Sequence, residues 1–169
     1  MLQGNHESSR NRPACGARSG AMEIKIEKTF KVNAPIDSVW AFLTDPEQVV
    51  QCMPGAELDE IVDERNVRGR VGVKVGPVEA RYRGQATFEE LDEESHRIRV
   101  VGQGMGDGSA DMQLAGELRA LDDGGTEAEF AAVVNVGGRM AQVGSRLIKF
   151  VSDRLFQQFV SRVRSELET

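Results

Sequence analysis

The amino-acid sequence predicts an α+β fold in which a curved antiparallel β-sheet wraps around one long C-terminal α-helix. A strand and two short helices come first, several strands separated by turn signals follow, and a single amphipathic helix closes the chain. This order leaves few architectures, because the apolar face of the sheet must be covered and the final helix is the element that can cover it.

The composition indicates one domain, because 169 residues with 40% hydrophobic content can bury one full core and are too few for two. Residues 1–20 lack apolar periodicity and are rich in polar residues, so we expect them to be disordered and the domain to span 21–169. They also lack the apolar core of a secretory signal, and a translation start at Met22 explains them as well as a targeting role does.

The first elements are a strand and two short helices. Residues 22–32 alternate apolar and charged side chains, which predicts a strand with one buried face. Pro35 is suited to an early helical position, and the apolar spacing that follows it predicts a helix to Leu43. A second short helix starts near Pro46 and stops at Met53-Pro54-Gly55.

The later strands share an inner face built largely from glycine and alanine. Alternating strands are predicted at 67–75, 78–88, 110–118 and 128–136, with turn signals at 63–66, 76–77, 92–95 and 122–125. In the second of these strands the inward residues are Val78, Ala80, Tyr82, Gly84, Ala86 and Phe88. Such an interior is short of volume, so a helix, a ligand or both must fill it.

A glycine-rich segment, residues 102–108, interrupts this pattern. Four glycines in seven residues predict a strongly bent strand end, a bulge or a mobile loop at the mouth of the sheet. No helix begins after the segment and no Lys-Ser or Lys-Thr follows it, which argues against a phosphate-binding loop.

The final helix is predicted to begin at Arg139, since no proline follows and apolar residues recur every three or four positions. A helix of about 30 residues would be about 45 Å long. Even with the helix in place, an unfilled pocket of about 300 Å³ would cost on the order of 7 kcal/mol at about 24 cal/mol per Å³. Either the sheet collapses onto the helix or an apolar ligand occupies the space.

Few side chains are suited to catalysis or metal binding. The histidines are His6 and His96, and Cys52 has no histidine near it in sequence. We therefore predict no catalytic residue, no metal site and no cofactor. Tyr82 is the main polar group on the inner face, and it is equally interpreted as a donor to a ligand carbonyl or hydroxyl and as an ordinary core tyrosine.

The charge distribution restricts the possible partners. A net charge of −6 argues against nucleic acid. Residues 139–169 carry six Arg or Lys against three acids, a net +3, so the remainder carries −9. The basic helix suits an anionic membrane surface, an acidic partner or plain solvation. The same alternatives of solvation or docking hold for the predicted outer cations Arg68, Arg70, Lys74, Arg81, Arg83, Arg97 and Arg99.

Two further features concern the cellular compartment. Cys15 and Cys52 are too few for a disulfide framework, which favours a reducing compartment. No apolar run approaches the roughly 20 residues that a membrane-spanning helix needs, so we expect a soluble or peripheral protein.

An ordered set of motifs resembles the carbon monoxide dehydrogenase CoxG family, of the START-like helix-grip (SRPBCC) superfamily. The resemblance covers about residues 22–165 and rests on Met53-Pro54-Gly55-Ala56, Val73-Lys74-Val75-Gly76-Pro77-Val78, Tyr82-Arg83-Gly84, the 102–108 glycines, and Val136-Gly137-Gly138 with Ala141, Gly144 and Arg146.

The resemblance implies an accessory protein without catalytic activity, which works with a molybdenum hydroxylase of the carbon monoxide dehydrogenase type at the cytoplasmic membrane. It also implies carriage of a quinone-type lipid in the helix-grip cavity and a location in the cytoplasm, peripheral to the inner face of the membrane. Family members that anchor the enzyme often carry a further hydrophobic C-terminal extension. This chain ends at Thr169, so we expect a carrier that contacts the membrane transiently.

Our first hypothesis is a carrier of an apolar molecule. The alternatives are a small enzyme of the polyketide cyclase or hydratase kind, and an adaptor that recruits the hydroxylase to the membrane. The predicted cavity lining is Trp40, Met53, Val71, Val73, Ala80, Tyr82, Gly102, Met105, Met112, Phe130, Met140, Val143, Gly144 and Leu147.

Overall fold

The structure is a computed structural model that describes residues 22–168, except for the side chain of Val75. The prediction that residues 1–20 are disordered lies outside the described residues. In chain order the elements are β1 (Met22–Val32), α1 (Ile36–Leu43), α2 (Pro46–Cys52), β2 (Ala56–Ile61), β3 (Asn66–Val75), β4 (Val78–Asp92), β5 (Arg97–Gly106), β6 (Ser109–Ala120), β7 (Thr126–Val136), a 3-10 helix (Gly138–Gln142) and α3 (Ser145–Leu167).

The strands form one seven-stranded antiparallel sheet in the order β1-β7-β6-β5-β4-β3-β2. Strands β2 to β7 follow one another as a meander, and each pairs with the next along the chain. The two short helices carry the chain from β1 at one edge of the sheet to β2 at the other edge. Strand β1 pairs with β7 from Met22↔Val136 to Val32↔Thr126. The predicted fold class, a curved sheet covered by a C-terminal helix, is confirmed.

Local capping explains where the two short helices begin and end. Asp45 starts α2 because its Oδ1 accepts a hydrogen bond of 3.0 Å from the backbone N–H of Glu47. The hydroxyl of Thr44 donates to the carbonyl of Trp40 at the end of α1. The buried hydroxyl of Thr126, on β7, donates at 2.8 Å to the carbonyl of Ala34 and so ties the start of α1 to the sheet.

The sheet and α3 enclose two apolar clusters. The first cluster joins β1, α1 and the C-terminal half of α3, and its buried residues include Phe30, Val39, Trp40, Leu118, Val160 and Val163. The second cluster joins β4, the 3-10 helix and the N-terminal half of α3. Its buried residues are Ile24, Ala80, Tyr82, Val136, Met140 and Ile148. None of the helices within residues 22–168 has the length and apolar character needed to cross a bilayer.

The predicted start of the long helix at Arg139 is wrong, because α3 begins only at Ser145. Residues 138–142 form a 3-10 helix instead, and Gly144 follows with a φ of +104°, a conformation that an α-helix does not contain. Met140 and Val143 keep the apolar spacing of the helix. They pack in the second cluster from this separate turn.

Of the three alternatives for residues 102–108, the bulge and the loop are wrong for most of the segment, which forms the end of strand β5. Gly102, Gly104 and Gly106 lie in β5 and pair in unbroken register with β4, from Tyr82↔Gly106 to Phe88↔Val100. The chain turns only at Asp107-Gly108, before β6. The register shift of this pair of strands falls elsewhere, between Phe88 and Glu90.

The inner-face glycines serve two different purposes. A Cβ on Gly84 would overlap the backbone carbonyl oxygen of Gln103, so glycine is needed there for the close approach of β4 and β5. A Cβ on Gly116 would lie 2.6 Å from the Phe130 ring, which already uses that space. A Cβ on Gly102 would first meet Gln85 O and Met112 Cε, both at an ordinary 3.7 Å. Of these three glycines, only Gly102 could accept a Cβ without overlapping a neighbouring atom.

This difference predicts opposite effects of the same substitution at two neighbouring positions. Gly84→Ala should lower the free energy of unfolding by about 1–3 kcal/mol, because strands β4 and β5 must move apart. Gly102→Ala should be neutral, or stabilising by up to about 1 kcal/mol, because alanine loses less conformational entropy than glycine. Urea unfolding of both variants measures this, and equal losses in the two would contradict the assignment.

Candidate ligand-binding site

Five glycines and alanines and one methionine lie side by side across three central strands on the inner face of the sheet. The pairing of β4, β5 and β6 places Ala86, Gly102 and Met112 side by side in one row. The adjacent row consists of Gly84, Gly104 and Ala110. We refer to these six residues as the small-residue rows. The small inward-facing residues that were predicted strand by strand therefore form one continuous area of the sheet.

The small-residue rows lie beside the second cluster, to which only Ala110 of the six belongs. Ala86 and Met112 are among the inner-face residues that belong to neither cluster. Both are half-buried, as are Gly102 and Gly104. The inner face is therefore less completely buried here than at Phe30 or Tyr82. This area is where an apolar molecule could be held.

Tyr82 stands directly beside the small-residue rows. A Cβ built on Gly104 would lie 3.4 Å from the Cβ of Tyr82, so no side chain separates the two. Tyr82 is only 8% exposed, and its hydroxyl has no hydrogen-bond partner among residues 22–168. Burial, and secondarily the charge of Asp107, raises the pKa of Tyr82 above its ordinary value. The phenol therefore stays neutral and keeps a proton to donate at physiological pH.

The inner face also carries one charge that the sequence analysis missed. Lys28 is in phase with the inward residues of β1, and it pairs with Asp153 of α3 while its Nζ lies 5.7 Å from the centre of the Phe156 ring. The alternation of inward and outward residues along β1 already places Lys28 on the inner face. Together with Phe30, the pair locks the edge strand to the helix. It lies at the margin of the sheet, away from the small-residue rows.

A surface groove of about 670 Å³ runs between β1 and α3 and was not predicted. Phe30, Phe156 and Val160 form the apolar part of its lining, and Thr29 of β1 and polar residues at the C-terminal end of α3 form the rest. Two of these are already engaged: Arg164 Nε donates to Lys31 O at 2.9 Å, and Glu168 accepts from the Asn33 N–H at 2.8 Å. These bonds fix the C-terminal end of α3 against β1.

The predicted cavity residues fall into several groups. Two of them, Trp40 and Phe130, belong to the first cluster. Seven others meet in the second cluster, namely Val71, Val73, Ala80, Tyr82, Met140, Val143 and Leu147. Gly102 and Met112 lie in the small-residue rows. The structure does not bring Met53 or Met105 to them, since these side chains are 43% and 68% exposed and Met105 lies on the outer face opposite Arg83. Gly144 immediately precedes α3. The role of all the predicted cavity residues in holding a ligand stays a prediction.

Outer-face arginines are mostly engaged with acids on neighbouring strands. Arg70 contacts Glu57 at 2.9 Å and Asp59 at 2.8 Å, and Arg119 contacts Glu127 at 2.7 Å. The Arg119 hydrogen bond holds the pKa of Glu127 below its ordinary value. Exposed pairs of this kind contribute little to stability. These contacts favour a solvated face over a docking patch for the two arginines.

Groups able to perform catalysis are scarce near the site. No group of three or more His, Cys, Asp or Glu within residues 22–168 is arranged to hold a metal ion. Cys52 is buried, and burial raises the pKa of its thiol, which makes it a poor nucleophile at neutral pH. His96 packs its ring against Trp40, with 5.5 Å between the ring centres.

Several solved structures share the fold. A conserved protein from Geobacillus kaustophilus has a TM-score of 0.77 at 19% identity, covering 87% of this chain and 95% of that one. A START superfamily protein from Mycobacterium smegmatis has a TM-score of 0.62 at 17% identity, covering 85% and 97%. The Zhui aromatase/cyclase from Streptomyces sp. R1128 has a TM-score of 0.60 at 17% identity, covering 87% and 94%. At such identities the similarity establishes a START-like fold.

Sequence comparison is more specific. No curated protein gives a significant match to the chain. The family profile for CoxG, the G subunit of carbon monoxide dehydrogenase, matches residues 29–168, which include all three α-helices and every strand after β1. This match spans most of the chain, and the chain therefore belongs to the carbon monoxide dehydrogenase CoxG family.

Proposed function

We propose that this protein is a non-catalytic carrier of an apolar molecule of the quinone or isoprenoid type. The observation that carries the proposal is the half-burial of the small-residue rows, five of whose six residues lie outside the two packed clusters. Apolar surface in such a place gains free energy when an apolar molecule removes it from water, at roughly 25 cal/mol per Å². Family membership supports an accessory role beside a molybdenum hydroxylase of the carbon monoxide dehydrogenase type.

A small enzyme of the cyclase or hydratase kind is the second candidate. The buried phenol of Tyr82 favours it, because a proton donor beside an apolar recess could take part in proton transfer. Two observations weigh against it. The raised pKa of Tyr82 makes the phenol a weaker acid and keeps it protonated at neutral pH, so it is not available as a general base, and none of the six residues of the small-residue rows titrates. Turnover needs a second group that this area does not supply.

The surface of α3 supports transient contact with a membrane. Phe150 is 58% exposed, and the exposed Arg146, Lys149 and Arg154 lie one or four positions from it on the helix. An exposed aromatic ring among cations suits the interface of an anionic bilayer. We place the protein in the cytoplasm, with this face of α3 toward the inner surface of the cell membrane.

Filling the recess tests the carrier function. Gly102→Trp should abolish binding of an apolar fluorescent probe, because a side chain at Gly102 overlaps no backbone atom and would extend over the small-residue rows. The matched control is Gln103→Trp, one residue along the same strand on the exposed outer face, which should bind as the wild type does. Titration with N-phenyl-1-naphthylamine, an uncharged fluorescent probe, measures binding, and circular dichroism measures folding.

Extraction of the purified protein with organic solvent, followed by mass spectrometry, provides the complementary measurement. We expect an isoprenoid or quinone-like lipid from the wild type and from Gln103→Trp, and none from Gly102→Trp. If the wild type yields no lipid and binds none on addition, the carrier function is wrong.

Membrane contact has its own test. Phe150→Ala combined with Arg146→Ala should weaken binding to vesicles of phosphatidylcholine with phosphatidylglycerol about tenfold or more, since each cation near an anionic surface contributes about 1 kcal/mol and the buried ring adds to it. Co-sedimentation measures this at low and high salt. Met105→Ala removes an equally exposed apolar side chain from the sheet and serves as control. If Met105→Ala weakens vesicle binding as much as the double variant does, the assignment of the α3 surface as the membrane contact is wrong.

A further inference from the structure

Tyr82 carries a buried polar group that the fold leaves unsatisfied. It belongs to the second cluster, whose other buried members are Ile24, Ala80, Val136, Met140 and Ile148. None of these side chains can accept a hydrogen bond well, and the Tyr82 hydroxyl finds no partner in the described part of the chain. Leaving a hydroxyl unpaired in such surroundings is unfavourable. A phenylalanine would fill the same volume without this cost.

The side chain of Tyr82 begins beside the recess. A Cβ on Gly104 would lie 3.4 Å from the Cβ of Tyr82, so a ligand lying on the small-residue rows contacts the start of this side chain. The hydroxyl itself is fully buried, so a ligand oxygen reaches it only when the residues that cover it move. The cluster is covered from the other side by Met140, which lies in the 3-10 helix between Gly138 and Gly144. Both glycines have positive φ, +69° and +104°. The methionine is flexible, so the cover can adapt to a guest.

We propose that Tyr82 is the polar anchor of the ligand site and that it donates a hydrogen bond to a carbonyl oxygen on an otherwise apolar ligand. This rests on the proposed carrier function and narrows the ligand class. A pure hydrocarbon would leave the phenol unpaired, whereas a ketone or quinone oxygen accepts its proton. The carbonyl end of the ligand lies toward β4 and the 3-10 helix, and the hydrocarbon part extends over the small-residue rows.

A matched pair of probes tests the anchor. Fluorene and 9-fluorenone share one carbon skeleton and differ by a single carbonyl oxygen. Wild-type protein should bind fluorenone about fivefold to tenfold more tightly than Tyr82→Phe does, which is the range expected for one buried hydrogen bond. Fluorene should bind both proteins equally. The carbonyl stretching band of bound fluorenone should lie at lower wavenumber in the wild type than in Tyr82→Phe.

The stability of the unliganded variant gives an independent measurement. Tyr82→Phe should leave the urea midpoint unchanged or raise it, because the hydroxyl it removes has no partner. A lower midpoint would overturn the proposal, since it would show that the hydroxyl is already paired within the protein or with a buried water.

The remaining outcomes separate the anchor from the carrier function. If fluorenone binds the wild type and Tyr82→Phe equally, with the same carbonyl band, the anchor is wrong and the carrier function stands. If neither probe binds the wild type and solvent extraction yields no lipid, the carrier function fails and the anchor with it.

Discussion

A single helix has to cover the inner face of a seven-stranded sheet, and this constraint shapes the rest of the molecule. The 23 residues of α3 extend about 34 Å, but a helix is only about 10 Å wide. Seven strands spaced by about 4.8 Å span about 29 Å. Large side chains can therefore meet the helix along a narrow strip only. The protein concentrates them in two clusters near the helix ends, and it uses small residues beside the second cluster.

The two clusters differ in physical character. In the first cluster, Phe30 stacks on Phe130 at 6.0 Å and meets the edges of Phe156 and Phe159, while Val163 is completely buried. Aromatic packing of this kind contributes strongly to stability. The second cluster relies on shorter aliphatic side chains, a flexible methionine and a tyrosine whose hydroxyl is unpaired. Local opening requires least free energy where packing is weakest, so the second cluster should open more readily than the first.

Much of this arrangement could be predicted from the sequence, because the alternation of side chains fixes which face each strand residue occupies. The alternation assigns Ala80 and Tyr82 to the inner face, and both are buried. The start of α3 could not be predicted, since Met140 and Val143 keep helical spacing and only the φ of Gly144 separates the two turns. Glycine itself is ambiguous for a related reason, because sequence does not show whether a missing side chain leaves space or is replaced by a neighbouring strand.

Some of the site depends on long-range pairing that no local pattern contains. Gly102 and Met112 become neighbours only through the register of β5 and β6, and the groove beside β1 exists only because Arg164 and Glu168 reach across to that strand. The family resemblance identifies the class of fold, but it does not distinguish an outward Met105 from an inward Gly104 in the same strand. That distinction follows from a shift of one residue, which exchanges the two faces of a sheet.

The first turns of α3 connect the two proposed activities of the protein. Ile148 is buried in the second cluster beside Tyr82, and Phe150, two residues later, is exposed among cations. Leu147 packs toward Gly76 at the β3–β4 turn, so this end of the helix lies beside the end of the sheet as well. An apolar molecule that leaves a bilayer at Phe150 would have to travel only about the thickness of one helix to reach the second cluster. The proposed membrane surface and the cluster that contains the proposed anchor Tyr82 therefore lie on opposite sides of the same two turns. This arrangement would shorten the path on which the proposed ligand is exposed to water, and that exposure is unfavourable for an apolar molecule.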